Sequence, residues 1–164
     1  MFGFVLPAGH ALWRERKGSV LVEWSILMPF LLMLGFGVFE FGNMLYKQHL
    51  VETGLKDAAR YLARVADPVA QQQLGKEIAV MGEIGGTDKR VSFWNVSDVS
   101  VSITTIANPV DATTNERTYR GPDPIPVVRV TTTANYPTMG FLSYLGLGNT
   151  IPFTLYHEER VIGE

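Results

Sequence analysis

The sequence predicts an α+β chain: one long N-terminal helix that crosses a membrane and runs on into a small extracytoplasmic domain. That domain holds a second helix and an antiparallel sheet of three to four strands. Three observations carry this reading. From Ser19 to Tyr46 the chain is apolar except for Glu23 and Glu40, with a few small or polar uncharged residues between them. From Tyr46 to Ala66 apolar residues recur at spacings of three and four. Beyond about Ser97 the period changes to two.

A bilayer core of about 30 Å takes roughly 20 mostly apolar helical residues, and the run from Ser19 to Tyr46 supplies them. Glu23 and Glu40 are separated by about 25 Å of helix at ~1.5 Å per residue, which places one acid near each interface. Arg14, Arg16 and Lys17 precede the run and determine its topology: positive charge stays on the cytoplasmic side, so the chain after Tyr46 faces outward. Pro29, Gly35, Gly37 and Gly42 weaken a water-exposed helix but are tolerated in a membrane helix, where small residues let neighbours approach. The run is too long for a secretory signal and no A-x-A cleavage site follows it. The sequence therefore divides into a basic cytoplasmic leader at 1–18, a span at 19–46, a helical extension at 47–66 and an outer domain at 67–164.

With the span set aside, about 110 to 120 residues remain, enough for one modest domain. The formal net charge is -2 and Lys and Arg form no extended patch, so a nucleic-acid partner is not expected. Cysteine is absent, which excludes disulfides, thiol catalysis and Cys-ligated zinc.

Past the span, Leu55, Ala58, Ala59, Leu62, Val65 and Ala66 form an apolar stripe, opposed by Gln48, Glu52, Lys56, Arg60 and Arg64 every fourth residue. Asp67-Pro68 ends the helix, because a residue before proline avoids helical angles. A second helix is expected at about Val69 to Met81, closed by Gly82. Val99, Val101 and Ile103 alternate with polar residues, as do Val128, Val130 and Thr132, and Ile151 to about Val161 gives a third strand whose Pro152 belongs at an edge. Val91 to Val96 is a weaker strand candidate, and Phe141–Leu145 reads as a short helix under the sheet. Asn108 to Pro126, rich in proline, reads as a mobile solvent loop, with a binding loop as the alternative.

No catalytic constellation stands out. His10, His49 and His157 share no metal-ligand spacing, Glu158-Glu159 and Asp123 lack the pattern of a calcium loop, and the glycines of 82–86 lack the Lys-Ser/Thr ending of a phosphate loop. An enzyme, a metal site and a cofactor are therefore not expected. Glu23 differs from an ordinary interfacial acid by its context, since it is the fifth residue after Gly18 and a basic stretch precedes that glycine.

Gly18-Ser19-Val20-Leu21-Val22-Glu23-Trp24 resembles the processing site of type IV pilin-like precursors. The longer stretch Gly18 to Arg64, with Met28-Pro29-Phe30-Leu31-Leu32, Phe39-Glu40-Phe41-Gly42 and Ala58-Ala59-Arg60-Tyr61-Leu62-Ala63-Arg64, is similar to the TadE-like family of the tight-adherence pilus system. The resemblance implies a pilin-like, non-enzymatic subunit of a bacterial adhesion pilus, a minor pilin or assembly factor in the inner membrane. It implies a prepilin peptidase that cuts between Gly18 and Ser19. It also implies that Glu23, with Trp24 beside it, registers the subunit against other pilin-like subunits and pilus assembly proteins. The physical rationale is that cutting frees an amine at Ser19 in an apolar setting, where a carboxylate of a neighbouring helix can pair with it. The alternative is an unprocessed single-pass anchor carrying an envelope binding module.

Overall fold

The computed structural model describes residues 16–162. Helix α1 runs unbroken over Arg16–Arg64 with Pro29 inside it. The chain divides into two units between Phe39 and Glu40, so the apolar and amphipathic parts of α1 belong to different units. In the first unit the large apolar side chains from Val20 to Phe39 are exposed.

The second unit has its own core. Val51, Leu55, Ala58, Ala59 and Leu62 of α1 are buried together with Ala79 and Val80 of α2 (Gln72–Met81), and this much of the predicted apolar stripe is observed. Val65 and Ala66 fall beyond the last turn, because α1 ends at Arg64. The expected start of α2 at Val69 is corrected to Gln72: the Asp67 carboxylate accepts the N–H groups of Val69 and Ala70, each at 3.0 Å, and holds them in a turn. Gly82 closes α2 in the left-handed conformation, φ 87°. Two glycines set how closely α1 and α2 approach. A Cβ on Gly54 would lie 2.2 Å from the Ala79 carbonyl oxygen, and one on Gly75 would lie 2.7 Å from Leu62 Cδ1.

The sheet has three antiparallel strands in the order β1 (Val99–Ile106), β2 (Ile125–Pro137), β3 (Thr150–Arg160). Alternation works as the sequence predicts: Val128, Val130, Thr132, Ala134 and Tyr136 of the central strand are buried, while Arg129, Thr133 and Asn135 are exposed. Pro152 sits on edge strand β3 opposite Asn135. The Val91–Val96 strand is not observed. The Trp94 N–H instead reaches the Val91 carbonyl in a turn that buries Val91 and Trp94, and a 3-10 turn follows at Val96–Asp98. Trp94 lies at the centre of the core, its indole N–H donating to Thr132 Oγ1 at 2.9 Å, and the Thr132 hydroxyl donates to the Asp98 carbonyl at 2.8 Å.

Two further segments bear on the sequence reading. Asn108 is buried and knits the 108–126 loop: its N–H donates to Asp123, its Nδ2 to the carbonyls of Tyr119 and Pro122, and its Oδ1 accepts the Tyr119 N–H. The short helix α3 (Phe141–Tyr144) has no buried residue and so does not lie under the sheet.

Candidate functional site

The N-terminal candidates lie on one stretch of α1. Arg16 opens the helix, with Lys17 and Gly18 following, whereas Arg14 and most of the basic leader fall outside the described residues. Gly18 and Ser19 are exposed, and a Cβ at Gly18 would meet nothing within 4 Å. The one-turn spacing of Ser19 and Glu23 sets their side chains on the same face, where the Ser19 hydroxyl donates to Glu23 Oε1 at 3.4 Å. Glu23 is exposed within this chain, and Trp24 beside it is half exposed, at 51 %. The helix thus presents one carboxylate amid Val20, Val22, Trp24, Ile26 and Leu27, all of them uncovered. An acid in such a setting is suited to pairing with a cation supplied by another molecule.

Further along, the absence of a Cβ at Gly35 leaves a shallow notch flanked by Leu31, Leu32, Phe36 and Phe39. A notch of this kind admits the side chains of a neighbouring helix to close range.

Glu40 is the functional-looking residue whose role the sequence did not reveal. It is 2 % exposed. Its Oε1 accepts the Met139 N–H and its Oε2 accepts the Leu142 N–H at 2.9 Å, so one carboxylate gathers the segment after β2 onto the helix. One turn on, Asn43 Nδ2 donates to the Tyr136 hydroxyl at 2.9 Å and approaches Met139 Sδ at 3.2 Å. At the far end of β2 the Ile162 N–H donates to the Ala63 carbonyl at 2.7 Å. Strand β2 therefore runs back along α1, its end returning to Glu40. No sequence signal pointed to this, because the partners of Glu40 are backbone N–H groups.

The family model that matches the chain is that of the TadE-like protein, over residues 18–60. Residues 18–60 are a TadE-like domain. The match begins at Gly18 and takes in Ser19, Glu23, Trp24, the Gly35 notch and Glu40. The TadE-like family is structural and pilin-like rather than catalytic, and the match implies a pilin-like component associated with the Tad pilus. No curated protein and no solved structure matches the chain. Around the TadE-like domain, no group of three or more His, Cys, Asp or Glu is placed to hold a metal ion among the described residues. His49 lies near Glu52, which also holds Lys56, and His157 lies near Glu159.

Proposed function

We propose that this chain is a pilin-like structural or assembly subunit of a bacterial tight-adherence pilus, a prepilin-peptidase substrate cut between Gly18 and Ser19. The carrying observation is that the TadE-like match starts at Gly18 on a helix whose large apolar side chains from Val20 to Phe39 are exposed among the described residues. Such a surface in water is unfavourable at about 25 cal/mol per Å², and lipid or partner helices relieve it. Arg14, Arg16 and Lys17 hold the N-terminus in the cytoplasm, and the outer domain faces the periplasm. Residues 19–39 measure about 32 Å at ~1.5 Å per residue, so we set the hydrocarbon portion of the 19–46 span at 19–39. Phe41, Leu45 and Tyr46 then meet the interface.

After the cut, Ser19 carries a free amine one helical turn from Glu23. An amine and a carboxylate on one helix of one subunit also satisfy each other's counterparts on a neighbour, which sets axial register, and Trp24 and the Gly35 notch complete the packing. Partners are accordingly other pilin-like subunits, pilus assembly proteins and the peptidase.

Intact mass measurement of the protein from cells with and without the peptidase tests this reading. The expected result is an N-terminus at Ser19 only when the peptidase is present and Gly18 is intact, with Gly18→Ala leaving the leader attached. An N-terminus at Met1 in every case overturns the processing step. Glu23→Gln is expected to be cut normally yet lost from crosslinked pilus complexes.

A further inference from the structure

We infer that the segment Thr138–Asn149 is a second membrane contact, an uncharged loop that rests in the lipid–water interface of the bilayer that α1 crosses. This inference depends on the anchor reading above and adds to it a part of the outer domain that lies outside the TadE-like match.

Three independent observations converge on lipid as the occupant. The first is surface chemistry. Met139, Tyr144, Leu145 and Leu147 are exposed, Tyr144 at 85 %, and no Asp, Glu, Lys or Arg lies between Arg129 and Glu158 to oppose them. Apolar side chains around an exposed tyrosine are the composition that settles at headgroup level.

The second is position. Glu40 binds the N–H groups of Met139 and Leu142, and Glu40 is the residue after Phe39, where the uncovered apolar run ends. The loop is therefore fastened to α1 at the point where the helix leaves the hydrocarbon. The 106–125 loop lies at the other end of β2, about 40 Å away at ~3.3 Å per strand residue.

The third is the state of the loop's own polar groups. Irregular backbone is costly in a medium of low polarity unless its N–H and C=O groups are already paired. Here Tyr144, Leu145, Gly146 and Leu147 donate their N–H groups to the carbonyls of Gly140, Phe141, Ser143 and Leu142, and the Thr138 N–H goes to Asn149. The Thr138 and Ser143 hydroxyls donate to the Gly148 carbonyl and Asn149 Oδ1. With Glu40 taking Met139 and Leu142, seven of the loop's twelve N–H groups are paired, while the side chains of Met139, Tyr144, Leu145 and Leu147 stay exposed.

The native chain has no cysteine, so single cysteines report cleanly. The experiment places nitroxide labels on the full chain at Tyr144→Cys and, separately, Leu147→Cys, in phosphatidylcholine vesicles, and compares collision with oxygen against collision with a water-soluble nickel chelate. Leu31→Cys in the apolar run and Ala112→Cys in the 106–125 loop are the lipid and water references; both positions are exposed. The expected result is a several-fold preference for oxygen at 144 and 147, approaching that at 31 and opposite to that at 112. If 144 and 147 follow 112 while 31 remains in lipid, the loop contact is overturned and the anchor stands. If 144 and 147 are shielded from both reagents, the loop is covered by protein and the lipid assignment is overturned. If 31 also collides with the nickel chelate, the anchor reading itself fails and this inference with it.

Discussion

The carboxylate of Glu40 accepts the backbone N–H of Leu142 at 2.9 Å across a sequence separation of 102 residues. With the companion bond from Met139, this contact closes the outer domain at the end where α1 becomes uncovered. An acid that ends an apolar run is thus occupied within its own domain.

Glu40→Ala removes the acceptor for both N–H groups. A buried donor left without a partner costs about 1–3 kcal/mol, so the loop is expected to detach locally while the core stays folded. Hydrogen exchange at 138–147 should accelerate by at least tenfold with exchange at Val128 and Val130 unchanged, and Glu23→Ala should leave both regions as they are.

The Trp94–Thr132–Asp98 chain supports a different prediction. Thr132→Val preserves shape but strands the Trp94 indole N–H and the Asp98 carbonyl. A loss of about 1–3 kcal/mol in unfolding free energy is expected by denaturant titration, accompanied by a shift in Trp94 fluorescence that Thr133→Val, at an exposed position, does not produce.

Gly54 of α1 faces Ala79 of α2 and the Trp94 ring. Gly54→Ala drives a methyl group against the Ala79 carbonyl and the Trp94 ring, so helix separation must increase. Overpacking of this kind costs about 1–3 kcal/mol, against the small gain in helix propensity that Ala brings elsewhere. Gly42→Ala, where no atom lies within 4 Å, is the contrasting variant, expected to be neutral or stabilising in thermal melts.

Glu52 carries a pH dependence with a definite sign. The hydrogen bond and the positive charge of Lys56, 2.6 Å away, hold its carboxyl below the ordinary value of 4.5. Because the folded value is the lower one, the stabilisation is present above pH 4.5 and is lost as the pH falls through the folded value. Lys56→Met should return the Glu52 carboxyl carbon to an ordinary titration in NMR and remove this part of the acid sensitivity. An unchanged midpoint would contradict the pairing.

Much of the fold was legible because it depends on local periodicity. The apolar stripe Leu55, Ala58, Ala59, Leu62 and the alternation of Val128, Val130 and Thr132 each follow from the geometry of one element and the need to bury one face. Val91 to Val96 misled for the same reason, since a hexapeptide rich in valine and aromatic residues reads as a strand until Trp94 is known to need the centre of the core. How the 108–126 loop is held was not legible, because its organiser, Asn108, is a single buried polar residue whose partners are mostly backbone.

The sequence alone determined the long apolar helix, the placement of Gly18, Ser19 and Glu23 on one of its turns, and the resemblance that the TadE-like match bears out over 18–60. These are properties of neighbouring residues on a single helix, and helical geometry converts their spacing directly into position. Only the tertiary structure decided what Glu40 does and where Thr138–Asn149 lies. Backbone N–H groups are the same at every residue, so nothing in the side chains of Met139 or Leu142 marks them as the partners of an acid on α1. The return of β2 along the helix brings them there.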